Sequence, residues 1–364
     1  MKNNSIDGKA LVYCQGAFNT PEGKTAHGLV RFTERFEVVG VIDSLHVGKD
    51  AGALLDNKYS GIPIFPNFEI AMEVLKTDNN EPTNFVIGLA PDGGRLPKEA
   101  KVAVKMALEK GLNIASGLHD FLTNDAELVA LAKSHNCTIK DVRKMQDREQ
   151  LHFFTGDIEK VKCLKLAVLG TDSAVGKRTT AWMLVHAFRK NGLKAEMVGT
   201  GQTAWMQGAK YSMIMDSCIN DFVSGEIEHA VVSAYNNEQP DVIVIEGQGS
   251  LMNPAYPGGF EILAAGRPDY VILQHAPRRL EYDGFPGYKL HSLKEQIRAI
   301  ELISGKEVIA ITLNHELMTK GEIPAACEDI TEETGLPCFD VLAFGADDLT
   351  NILKTRIKRI ALTK

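Results

Sequence analysis

Residues 170–180 read Gly-Thr-Asp-Ser-Ala-Val-Gly-Lys-Arg-Thr-Thr. An apolar run, Leu164 to Leu169, precedes them and a helix-forming stretch, Ala181 to Arg189, follows. A strand, a glycine loop closed by Gly-Lys and then a helix aim backbone N–H groups and a helix N-terminus at a phosphate, and the lysine adds a point charge. We therefore expect Gly170, Thr171, Asp172, Ser173, Ala174, Val175, Gly176, Lys177, Arg178 and Thr179 to surround a phosphorylated ligand. The spacing departs from the standard loop in two ways. Five residues separate Gly170 from Gly176 where the standard loop has four. Arg178 stands where a magnesium-binding Ser or Thr should follow the lysine, and Thr179 is one residue late. The anion cradle is intact by sequence, and the metal position is not.

Other polar residues gather where apolar strands end. In an open parallel sheet, ligands bind outside the carboxyl ends of the strands. Glu246 closes the run Val242–Ile245 and could hold magnesium through water, act as a general base, or serve as a hydrogen-bonded turn acid. Gly199-Thr200-Gly201-Gln202-Thr203 follows another strand; Gly201 and Gln202 offer donors to a cofactor or form an ordinary tight loop. Asn314 ends the run Ile309–Leu313, where its amide could read an adenine edge or make a turn. His275, after Tyr270–Gln274, is a candidate base, and Arg278 and Arg279 carry forks that suit carboxylates. A surface loop with a satisfied histidine is the plain alternative. In the first half, Arg95 and His119 follow strands at 85–89 and 112–115, and either role, pocket or turn, is open to them. Asp43 ends the second strand, where a dinucleotide fold places a ribose-binding acid, although the Gly-x-Gly-x-x-Gly pattern is absent. A second loop, Gly16 to Gly23-Lys24-Thr25, has six intervening residues. It reads first as a coincidence or as a loop for another ligand group, contacted through Lys24, and only after these as a second nucleotide site.

Short strands separated by helical stretches must position these residues. The first half alternates strands at 9–14, 36–42, 84–89, 112–115 and 138–142 with helices at 23–31, 68–76, 98–110 and 125–134. The second half repeats the alternation with strands at 164–169, 195–198, 242–245, 270–273 and 308–313, and helices at 181–189, 227–235, 293–303 and 347–358. This order predicts α/β architecture, with parallel sheets covered by helices on both faces. The polar stretch 143–160 reads as a linker, giving an N-terminal domain over 1–150 and a C-terminal domain over 151–364. A length of 364 residues suits two domains.

Composition sets further bounds. A net charge of -7 argues against a general nucleic-acid or membrane-surface binder, and leaves room for a local basic pocket. The six cysteines form no Cys-x-x-Cys pair and read as reduced thiols. Met1 to Ser5 lead into no signal-like apolar core, and no apolar run approaches the ~20 residues of a membrane span. A soluble, cytoplasmic protein acting on a small molecule is expected, with a homo-oligomer as the default assembly.

The loop Gly170 to Lys177 resembles the phosphate loop of dethiobiotin synthetase, which shares its spacing, and Glu246-Gly247-Gln248-Gly249-Ser250-Leu251 is similar to that enzyme's Glu-Gly-Ala-Gly-Gly segment; Arg178 replaces its Thr. A fuller resemblance covers nearly the whole chain. Lys24-Thr25-Ala26-His27-Gly28, Ser116-Gly117-Leu118-His119, the 170–180 loop, Gly199 to Thr203, Asp221-Phe222-Val223-Ser224-Gly225 and Glu246 to Ser250 together resemble the two-domain family associated with D-glutamate N-acetyltransferase, long described only as a domain of unknown function. The resemblance implies a Rossmann-like N-terminal domain, a phosphate-loop (P-loop NTPase-like) C-terminal domain, and acetyl transfer from acetyl-CoA to the amine of an acidic amino acid. Under it, the loop holds CoA phosphates without hydrolysis, and Glu246, His275 or His119 takes the amine proton. Arg278, Arg279, Arg95 and Lys24 face the acidic substrate. An ATP- and magnesium-dependent ligase or kinase is the alternative, with Glu246 and Asp172 around the metal. A non-catalytic nucleotide or CoA sensor is a third.

Overall fold

A computed structural model of the chain describes residues 7–363; Met1 to Ser5 lie outside the described residues. The chain forms two compact units. The first comprises residues 1–145 together with 202–209, and the second residues 146–201 and 210–364.

The first unit alternates β1 (Gly8–Tyr13), α1 (Lys24–Arg31), β2 (Phe36–Ile42), α2 (Ala51–Asp56), β3 (Ile64–Phe65), α3 (Phe68–Thr77), β4 (Asn84–Ile87), α4 (Lys98–Glu109), β5 (Asn113–Ser116), α5 (Ala126–Ser134) and β6 (Ile139–Asp141). Its six strands lie in the order β3-β2-β1-β4-β5-β6, all parallel. This is the Rossmann order, and the direction of winding reverses between β1 and β4. Asn67 and Asp125 cap α3 and α5, each accepting from backbone N–H groups of the first turn.

The second unit contains β7 (Leu164–Gly170), α6 (Lys177–Lys190), β8 (Ala195–Gly199), β9 (Tyr211–Ser212), α8 (Asn220–Glu238), β10 (Val242–Glu246), α9 (Phe260–Ala265), β11 (Tyr270–His275), α10 (Leu293–Ser304), β12 (Val308–Leu313), α11 (Ile323–Thr334), β13 (Cys338–Phe339), α12 (Val341–Phe344) and α13 (Asp347–Thr363). The missing number, α7 (Gln202–Met206), belongs to the first unit. The strand order is β13-β12-β11-β7-β10-β8-β9, again all parallel. β7 and β10 are buried at every position, because helices cover both faces of the sheet. β7 lies between β10 and β11, so the loops after these three strands share one carboxyl edge.

Two features differ from the sequence expectation. Residues 199–203 are not one loop: β8 stops at Gly199 and a short helix starts at Gln202. That helix packs on α1. The Thr25 and Thr203 hydroxyls lie 3.1 Å apart in a buried hydrogen bond, and the Gln207 amide donates to the carbonyls of Gly28 and Phe32 at 2.8 Å each. Arg35 donates to the Trp205 carbonyl and lays its guanidinium 3.8 Å from the Trp205 ring centre. The second difference lies in the polar stretch 143–160, read as a linker, over its residues 152–158. It is strapped to α8. Glu228 is buried and accepts from the backbone N–H groups of Thr155 and Ile158, while Glu226 accepts from that of His152. The strap crosses α8 at Gly225, where a Cβ would sit 2.1 Å from the His152 carbonyl oxygen.

Among the described residues, no helix is long and apolar enough to cross a membrane. All six cysteines are free thiols.

Candidate functional site

The loop after β7 is built around a buried carboxylate. Asp172 is fully buried. Its Oδ1 accepts from the Ser173 N–H at 2.7 Å and from the Asn253 amide at 2.8 Å. Its Oδ2 accepts from the Arg279 guanidinium at 2.9 Å and from the Asp283 N–H at 2.8 Å. Asp172 therefore ties the loop to the segments after β10 and β11. Arg279 also donates to the Ser173 carbonyl at 2.7 Å and pairs with Glu316 at 2.5 Å. Both oxygens of Asp172 and Nη1 of Arg279 thus brace the loop, while Nη2 of Arg279 holds Glu316. The expectation that Asp172 helps hold magnesium, and that Arg279 faces a substrate carboxylate, meets groups already engaged in the protein.

The lysine occupies the centre of the cradle. Lys177 is buried at the first position of α6, and its Nζ donates to the carbonyls of Asp172 at 2.6 Å and Gly249 at 2.7 Å. Gly176 caps the helix at φ 104°, and Ala174 has φ 52°, so the loop alternates handedness as an anion-binding nest requires. Gly170 leaves room for the lysine: a Cβ there would meet its Cδ at 2.8 Å. Asn314 donates to the Val175 carbonyl at 2.9 Å and accepts from the Glu316 N–H, so its amide braces the loop. Thr171 shares a 3.0 Å hydrogen bond with Nδ1 of His275. Burial, aided by the positive charge of Arg279, pushes His275 down to about 4, so the imidazole is neutral at physiological pH.

Glu246 ends β10 beside this loop and is buried. Its Oε2 accepts from the Thr200 N–H at 2.9 Å and the Gly201 N–H at 3.2 Å. Burial pushes its carboxyl up; the charge of Arg178 is the first influence acting the other way, followed by the two N–H bonds and Lys177. The Thr200 hydroxyl donates to the Glu246 carbonyl and accepts from Gln248. Gly247 lets β10 turn against β7, since a Cβ would lie 2.4 Å from the Val168 carbonyl oxygen.

The remaining candidates are distributed as follows. Arg278 is exposed and pairs with Glu322. Gln202 lies in the first unit, touching Gly117, where a Cβ would meet its Cγ at 2.6 Å. Lys24, Arg95 and His119 are exposed in the first unit. The His119 N–H donates to the Gly94 carbonyl, which brings His119 beside Arg95 at one sheet edge. Asp43 is buried, accepting from the Gly16 N–H and bonded to His46 at 2.6 Å.

Sequence reasoning missed several polar groups. Gln274 sits fully inside the sheet and accepts from the hydroxyls of Thr180 and Thr312. Asn253 and Asp283, which complete the shell around Asp172, lie in irregular segments with no periodicity to mark them. His315 bonds Asp340 at 2.5 Å next to Asn314. Only Gln274, a polar residue in an apolar strand, carries a signal visible in the sequence.

Residues 152–350 match a family model described as the P-loop domain of DUF1611, a domain of unknown function, and residues 44–145 match its Rossmann-like N-terminal domain. The chain belongs to the DUF1611 family. A solved DUF1611 family protein from Anabaena variabilis superposes with a TM-score of 0.86 at 29% identity, over 95% of this chain and 99% of that one. Two relatives are named D-glutamate N-acetyltransferase. One, from a Pseudoalteromonas species, is 33% identical over 272 residues, 73% of this chain and 79% of the relative. The other, from Tritonibacter scottomollicae, is 31% identical over 275 residues, 74% and 80% respectively. The family expected from the motifs is the one that matches. The structure gives several of those DUF1611 motifs packing roles: Thr25 meets Thr203, Gly225 admits the strap, and Gly247 admits the turn after β10.

Proposed function

We propose that this DUF1611 protein is an N-acetyltransferase that moves an acetyl group from acetyl-CoA to the amine of an acidic amino acid of the D-glutamate kind. The activity and substrate class come from the names of the relatives. The observation that carries the reading on this chain is a preformed anion cradle whose neighbouring acids are turned inward. A loop of this build suits holding the phosphates of a cofactor. A kinase or ligase needs acids free to organise magnesium on a reacting phosphate, and the engagement of Asp172 speaks against that alternative.

Acetyl transfer needs an amine without its proton. Of the candidate bases, burial favours the protonated form of Glu246 and the unprotonated form of His275. The ionised form of Glu246 is therefore the more basic of the two, while His275 acts as a neutral partner that orients Thr171. Lys177 and the N–H groups of the loop hold the anion.

The test follows free thiol release from acetyl-CoA with D- and L-glutamate, D- and L-aspartate and neutral amino acids. Release with acidic amines, and loss of CoA affinity by more than about tenfold in Lys177→Ala, is the expected outcome. Magnesium-dependent ADP release from ATP with no thiol release from any amine would overturn the reading. Unchanged CoA affinity in the variant would remove the loop from the CoA site.

A further inference from the structure

Phosphate loops that split nucleotides place a Ser or Thr hydroxyl and a strand-end acid on a magnesium ion. The residues of this chain do not fit that ion. The side chain of Arg178, after the lysine, has no oxygen to offer a metal. Glu246, at the neighbouring strand end, is buried and held by the N–H groups of Thr200 and Gly201. Arg178 is the charge that acts on it most strongly. Asp172 has both oxygens engaged by four donors. Among the described residues, no group of three or more His, Cys, Asp or Glu is placed to hold a metal. The cradle itself persists. Lys177 sits at its centre, and the buried hydroxyl of Ser250, which has no hydrogen-bond partner, lines a small cavity with Gly170 and Gln248.

We propose that the guanidinium of Arg178 replaces the magnesium ion, so that the loop binds a diphosphate-bearing ligand without any divalent cation. A magnesium ion brings two positive charges but must itself be held by oxygen ligands. Lys177 and Arg178 bring two positive charges on covalently fixed side chains, and the guanidinium fork matches phosphate geometry. The proposal rests on the loop as a phosphate site, and it is separable from acetyl transfer.

Calorimetric titration of the full chain with ADP and with CoA, in excess magnesium and in EDTA, tests it. CoA should bind with the same affinity within about twofold in both conditions, and ADP no more tightly with magnesium than without. Arg178→Lys should keep most of the affinity. Arg178→Thr, which removes the charge, should lose at least about tenfold in EDTA and in excess magnesium alike. A wild-type affinity that rises more than about tenfold with magnesium overturns the proposal, as does binding of neither probe in either condition. Equal affinities of wild type and Arg178→Thr in EDTA overturn it too. Metal-free binding without acetyl transfer keeps this proposal and sinks the transferase reading. Acetyl transfer and probe binding that both stop in EDTA and return with magnesium do the reverse.

Discussion

Replacing Asp172 by alanine should loosen the second unit before it alters any chemistry. The carboxylate has no exposed surface and accepts four hydrogen bonds, from Ser173, Asn253, Arg279 and Asp283. Its removal leaves Arg279, whose side chain is 11% exposed, with Glu316 as the remaining counter-charge. Breaking a buried ion pair by removing one partner costs about 3–5 kcal/mol, and the surviving Glu316 contact favours the lower end. The stranded Asn253 amide adds about 1 kcal/mol. The sum is about 4 kcal/mol. For a unit of this size, about 1 kcal/mol shifts the midpoint by roughly 2–4 °C, so the expected drop is about 8–16 °C. Asp172→Asn keeps the shape but turns one NH2 toward donors, and should give about half that drop. The assay is thermal melting by circular dichroism, with ADP titration at a temperature where every variant is folded. A melting point within about 2 °C of wild type, combined with loss of ADP binding, would refute the reasoning: Asp172 would then face ligand or metal, and the bracing role would be wrong.

Three further outcomes follow from the same contacts. His275 titrates near 4 when folded and near 6.5 when unfolded, so the unfolded chain binds the extra proton between those values; stability should fall with acidification through that window, by roughly 3 kcal/mol at most from this group. Melting points of His275→Gln across pH 4 to 7 should show a flatter profile, and a parallel profile would exclude His275 as a contributor. Glu246→Gln should reduce acetyl transfer by about 10²–10⁴-fold while CoA affinity changes little; equal losses in both would make it a positioning residue alone. Gly225→Ala should destabilise the chain by about 1–3 kcal/mol, because its Cβ would overlap the His152 carbonyl, and an unchanged melt would mean the strap moves aside without penalty.

The sequence pattern made the strands around both sheets legible, because β-branched and apolar runs of buried parallel strands are dense and flanked by glycine. The short edge strands β3, β9 and β13 and the helices α9 and α11 left no such trace. Their periodicity covers too few residues or only one turn of apolar face. The strap at 152–160 was illegible for another reason: its N–H groups donate to Glu226 and Glu228, some 70 residues away, and polar residues that are satisfied at long range look like linker. The phosphate loop was legible because its geometry is local. Glycine spacing, a lysine and a helix start within eight residues define it without reference to the rest of the chain.

The residues at strand ends show where local reading stops. Asp172, Asn314, His275 and Arg279 all carry groups that could meet a ligand, and each engages the loop instead. A polar side chain at the carboxyl edge of a sheet has two kinds of partner, a ligand and the neighbouring loop, and spacing cannot choose between them. Here the choice has a physical reason. The loop holds Ala174 at positive φ, a conformation that costs about 1–2 kcal/mol for a residue with a Cβ, and its nest aims N–H dipoles in one direction. Carbonyl contacts from Lys177 and Asn314, and the Asp172–Arg279–Glu316 chain, offset that strain. The loop is therefore braced by the protein's own groups. Under the proposed function, Lys177 alone among them would exchange carbonyl oxygens for phosphate oxygens, so the bracing and the gripping of an anion fall to different residues.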